Sequence, residues 1–157
     1  MNETKFLKTI YTFFLGLLLS VFIGFGVATF YPKPETPAFP EPAIFSDGAD
    51  DDEFQREVQE YEQVYDRYQS KLQDYHQNVS IITLIMAVGL VSISLVFNNR
   101  LKVIADGVLL GGLFTLIYSV GRSFAAENAA HSFVMLTIAL AVVLFLGYTR
   151  FVKTSKK

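Results

Sequence analysis

Four stretches of this chain are apolar for long enough to cross a lipid bilayer, and a long polar segment with a different rhythm separates the first two. The stretches run from Thr9 to Tyr31, Val79 to Phe97, Val103 to Gly121 and Ser132 to Tyr148. Crossing the hydrocarbon core as a helix takes about 20 apolar residues. Four such segments in 157 residues leave too little polar surface to clothe a soluble bundle. The pattern therefore predicts an all-α integral membrane protein with four transmembrane helices. Lys5 and Lys8 ahead of the first stretch resemble the start of a secretory signal peptide, but the apolar run continues to Phe30 and Tyr31. That exceeds the roughly 7–15 residues of a signal's apolar region, so the segment reads as a span.

The polar segment has two unlike halves. Tyr31-Pro-Lys-Pro-Glu-Thr-Pro-Ala-Phe-Pro-Glu-Pro42 holds all five prolines of the protein. Proline fixes its own φ and biases the preceding residue towards extended backbone, so this half predicts a polyproline II arm. With three residues per turn, Pro34, Pro37 and Pro40 share one edge. The turn-forming Ser46-Asp-Gly-Ala-Asp50 and the acids Asp51, Asp52 and Glu53 then predict a helix start near Asp50.

From that point Phe54, Val58, Tyr61, Tyr65, Tyr68, Leu72, Tyr75 and Val79 recur in steps of four and three and run on into Ile82 and Met86. That is a heptad seam, and it predicts one continuous helix from about Asp50 to Phe97, about 70 Å long with roughly 40 Å outside the membrane. Residues 31–46 in polyproline II would cover about 50 Å, so arm and helix match in length. The tyrosines offer flat faces on which the proline rings, Phe39, Ile44 and Phe45 can stack. The same seam could instead pair two chains in a parallel coiled coil, with the prolines as a linker, or stand as a solvated helix beside a loose tether. The chain thus divides into residues 1–31 with the first span, 32–78 with arm, turn and tyrosine-striped helix, and 79–157 with three spans and a basic tail.

Charge supplies an orientation. One set of flanks carries Lys5, Lys8, Arg100, Lys102, Arg150, Lys153, Lys156 and Lys157, and the other only Lys33, Arg56, Arg67, Lys71 and Arg122. Lys and Arg mark the cytoplasmic side, so both termini are expected in the cytoplasm and residues 32–78 outside. The outer side also holds 13 of the 15 acidic residues. A surface this acidic repels polyanions and excludes nucleic acid as a partner. The expected partners are the lipid bilayer, a membrane or extracytoplasmic protein, or a second copy of the chain.

Asp106 is the acid placed inside a span, and intramembrane ionisable groups are candidate ion or proton sites. Lys102, four residues earlier, offers it a partner on the same helix face. Gly16, Ser20 and Gly24 in the first span, and Gly107 and Gly111 beside Gly112 in the third, have the spacing that lets helix backbones approach closely in lipid, and predict contact between these two spans. Glu127 and His131 stand four apart, but two ligands are too few for a metal; pairing with Arg122, or exposure, is the expectation there and for His76. The Asn78-Val-Ser80 sequon abuts a span and carries no weight. There is no cysteine, and no glycine-rich phosphate loop, HExxH or GxSxG pattern, so no enzyme activity, metal or cofactor is expected.

Two resemblances follow from these residues. The proline arm and tyrosine-bearing helix resemble, in architecture alone, the hairpin of the pancreatic polypeptide family, which implies antiparallel packing of the two and no hormone activity. The four-span layout, with Phe13-Phe-Leu-Gly-Leu-Leu-Leu and Val103-Ile-Ala-Asp-Gly-Val-Leu-Leu-Gly-Gly, looks like small bacterial membrane proteins, which implies an inner-membrane location. The function these features favour is a structural or interaction protein presenting a rigid acidic hairpin. The alternative is a small channel or transporter component using Asp106 for a cation or proton.

Overall fold

The computed structural model describes residues 3–38, 51–98 and 101–152. Every regular element among them is helical: α1 (Glu3–Phe30), α2 (Asp51–Phe97), α3 (Lys102–Phe124) and α4 (Ala129–Gly147), the last widening into a π-helical turn at Tyr148–Val152. All four α-helices are long and apolar enough to cross a membrane, and the chain is a helical multi-pass membrane protein. α2 is unbroken over 47 residues. No glycine or proline occurs in it before Gly89, so nothing interrupts the backbone ladder where the polar half gives way to the apolar half.

α3 is the centre of the bundle. It packs against α1, α2 and α4, α2 also touches α1 and α4, and among the described residues α1 and α4 do not meet. The sequence of α3 explains the position, because its buried residues are small: Ala105, Gly107, Gly111, Gly112, Thr115, Ser119 and Ser123, with Leu116 the one large exception. Small side chains on several faces let three neighbours approach at once. The turn into α4 is short. Glu127 takes a left-handed backbone, φ 51°, and Asn128 caps the new helix by accepting from the His131 amide at 3.0 Å.

The distribution of side chains is inverted relative to a water-soluble bundle. Fully covered positions include Ser80, Thr83, Ser94, Thr115, Ser119 and Ser123, whereas Leu18, Phe22, Phe25, Ile85, Ile117, Phe133 and Leu144 stand exposed. Apolar burial gains nothing against lipid tails, so helices associate through close packing and interhelical hydrogen bonds, and large apolar groups can face outward. Two apolar clusters remain inside. Leu84, Ala87, Leu116, Met135 and Ala139 join α2, α3 and α4, and Ile23, Val27, Tyr75 and Val79 join α1 to α2.

Candidate functional site: the arm, the tyrosine helix and the bundle's polar contacts

Heptad spacing holds the tyrosines of α2 on one stripe, and the chain leaving α1 runs along that stripe. Tyr31 stacks on Tyr75, ring centres 5.4 Å apart and planes within 2°, while its hydroxyl accepts from Asn78 Nδ2 at 2.9 Å. Five residues later the Thr36 and Tyr68 hydroxyls share a hydrogen bond of 3.2 Å. The partners on α2 step back from 78 to 68 as the arm advances, so residues 31–38 lie antiparallel to the helix. Pro34 and Pro37 are half-buried and line a shallow cleft with Val64, Tyr68 and Lys71. Pro40, Phe39, Ile44, Phe45 and the turn at 46–50 lie outside the described residues, as does the side chain of Phe54.

Burial along the stripe is graded. Val79 is covered to 1% exposure, Tyr75 to 7% and Tyr68 to 8%; Leu72, Tyr61 and Val58 are half-buried, and Tyr65 is 38% exposed. Tyr61, Tyr65 and Tyr68 form a ladder of rings with centres 5.7 and 6.1 Å apart, at separations where aromatic pairs attract. Around the ladder Glu57, Glu60, Glu62 and Asp66 are exposed. The distal half of α2 is thus an acidic rod with aromatic rungs.

At the base of the rod a cationic group enters from α3. The Arg122 guanidinium stands 5.3 Å from the centre of the Tyr75 ring, within cation–π reach. Periodicity gives no hint of this contact, because it joins two helices through a residue unremarkable in either pattern. His76, edge-on to Tyr75, is half-buried. Burial, then the Arg122 charge, then Lys33 hold its pKa below the ordinary 6.5, which favours the neutral imidazole at pH 7. His76 Nδ1 and Arg122 Nε are covered and find no hydrogen-bond partner among the described residues. Glu127 is exposed, and His131 turns inward, its Nε2 2.8 Å from the Ser80 hydroxyl. The two therefore do not converge, and no group of three metal-ligating side chains occurs among the described residues.

Asp106 is paired, but not with Lys102. Its carboxylate is met by Arg150 from the π-helical end of α4, and Arg150 also donates Nη1 to Asn98 Oδ1 at 2.8 Å. A guanidinium can serve two acceptors in one plane, which an ammonium cannot. Lys102 stays exposed.

The glycines fall into two groups. A Cβ on Gly16 would come within 2.9 Å of Leu110 Cβ and 3.0 Å of the Gly111 amide nitrogen, and one on Gly111 within 3.2 Å of the Gly16 carbonyl. On Gly107 it would strike Leu15 at 2.6 Å. Here α1 and α3 touch backbone to backbone. Gly112, one residue round the helix, serves α2 instead, facing Val91 and the Ala87 carbonyl. Gly24 meets nothing within 4 Å, which corrects its assignment to a packing face. Beyond Leu19, α1 turns Ile23 and Val27 to α2, leaving Ser20 and Gly24 on an open groove opposite Tyr118.

No protein-family model, curated protein or solved structure matches this chain.

Proposed function

We propose that this protein is a membrane-anchored docking or assembly element: a four-helix anchor in a bacterial inner membrane, both termini cytoplasmic, holding a rigid acidic hairpin outside. The observation that carries this reading is the continuity of α2, which passes from rod to span without a break while its own chain lies back along it at Tyr75 and Tyr68. A one-piece lever of this kind fixes the distance and direction of its tip relative to the bilayer, which a flexible tether cannot do. We take residues 31–38 to run as a polyproline II arm along the tyrosine-bearing helix. The exposed acids around the ladder suit a partner with a basic surface, and Tyr65 suits an aromatic anchor in its middle.

The alternative, passage of a cation or proton through Asp106, is weakened by the Arg150 contact. A carboxylate already neutralised by a guanidinium offers little to a cation.

In-cell photo-crosslinking tests the docking reading, with a photoreactive residue at Glu62 or Tyr65 and, as control, at lipid-facing Leu144. One adduct of defined mass from the rod positions, absent from Leu144 and lost in Tyr61→Ser, supports a separate partner. Adducts at twice the chain's mass would move the function to self-association through the seam. No adduct from any rod position would reject docking.

A further inference from the structure

We propose that the cleft between α1 and α3 at the basic end of the bundle binds the phosphate of an anionic phospholipid, with Lys8 and Lys102 as its cationic arms. The cleft has a volume of about 520 Å³ and is lined by Lys8, Thr12 and Phe13 on one side and Lys102, Asp106 and Leu110 on the other. That volume lies within the roughly 300–1,000 Å³ of ordinary small-ligand pockets.

Its charge follows from the ion pair described above. Asp106 faces the cleft, but Arg150 neutralises it. Neither Lys8 nor Lys102 has a carboxylate within salt-bridge distance among the described residues, so two ammonium groups flank one mouth without a counterion. Both lie in the first turns of their helices or just after them, at the end of the bundle where headgroups meet the span. Basic pockets between spans at this depth are suited to anionic headgroups.

The lower part of the cleft is apolar. Phe13 reaches across to Phe114, ring centres 5.9 Å apart and edge to face, and one turn further Gly16 closes on Leu110. Phe13, which lines the cleft, is itself 49% exposed, so the cleft opens sideways onto the apolar outer face of the bundle. A site that is cationic at its mouth, apolar below and open to the membrane fits an amphiphile with a phosphate at its head. A free phosphate would leave the apolar half empty.

The test is native mass spectrometry of the delipidated full-length protein, titrated with phosphatidylglycerol, with phosphatidylcholine of the same chains, and with inorganic phosphate. A lysine at an anionic surface contributes about fivefold in binding, so the pair predicts about a 25-fold preference for phosphatidylglycerol. The double variant Lys8→Gln/Lys102→Gln should bind the two lipids alike. Lys5→Gln, the same charge change outside the cleft, should keep the preference. Should the double variant fail to fold, Lys102→Gln alone is expected to lose about fivefold and Lys102→Arg to retain the preference. Equal binding of both lipids by the wild type would overturn the proposal. So would a loss in Lys5→Gln as large as in Lys102→Gln, or inorganic phosphate binding as well as the lipid.

Discussion

α3 is held on two sides by different means. Towards α1 the contact is made of absent side chains: Gly16, Gly107 and Gly111 let the backbones close until a single methyl would clash. Towards α4, and towards α2 alongside the Gly112 contact, it is made of hydroxyls. Ser119 donates to the Ser80 carbonyl at 2.7 Å, Ser132 to the Ser123 carbonyl at 2.8 Å and Ser94 to the Ala105 carbonyl at 2.6 Å; beside them the His131–Ser80 contact ties α4 directly to α2. The first seam depends on fit and the second on satisfied polar groups. In lipid both replace the apolar burial that would hold the same helices together in water.

The two seams should fail differently. Gly111→Leu puts a side chain into the Gly16 carbonyl and is expected to cost about 3 kcal/mol, or to prevent assembly altogether; thermal unfolding in detergent would show it, and a wild-type midpoint would mean that α1 is not held at this crossing. Arg150→Gln leaves Asp106 partly buried and unpaired. With the two side chains 18% and 32% exposed, solvent screens the pair and the expected loss is about 1–2 kcal/mol. The double variant with Asp106→Asn should recover most of it, and no recovery would indicate that Arg150 acts mainly through Asn98.

Ser119→Ala removes one hydroxyl link and should cost only about 0.6 kcal/mol, the average for such bonds in membrane bundles. A cost as large as that of Gly111→Leu would erase the distinction between the seams. In the polar half of α2, Tyr68→Phe keeps the ring and loses the Thr36 bond, worth about 0.5–1.5 kcal/mol. Cleavage of the Glu35–Thr36 bond by a glutamate-specific protease should become measurably faster while the bundle's unfolding is unchanged.

The smallest effect concerns pH. The folded-state pKa of His76 is lowered, so the unfolded chain takes up the proton more readily. Stability should be full above about 6.5, decline as pH falls from there towards the lower folded value, and level off below it. Thermal midpoints of wild type and His76→Gln across this range check the assignment. An equal decline in both would place the sensitive group elsewhere.

The glycine seam was readable because a four-residue spacing of small residues is a local pattern, and Gly16 and Gly111 show what it encodes. The serine seam was not readable. A serine in an apolar helix can bond back to its own helix, as Ser92 does to the Val88 carbonyl, or reach a neighbour, as Ser119 does, and the sequence around the two is alike. Gly24 failed for a related reason, since spacing says which residues share a face but not where the partner helix departs. The tyrosine stripe lay between these cases. Its face followed from the heptad, but the parts of it covered by the chain's own arm depend on contacts such as Thr36 with Tyr68, 32 residues apart.

What the sequence determined by itself was local and periodic: four spans, a helix long enough to leave the membrane, and an acidic end opposite a basic one. These rest on hydropathy and on the absence of helix breakers, which act within a few residues. The tertiary structure decided who pairs with whom. Arg150 reaches Asp106 across 44 residues and His131 reaches Ser80 across 51, because α3 sits at the centre and brings the ends of α2 and α4 to it. That arrangement comes from the summed fit of three helix faces, a quantity that no single stretch of the chain contains.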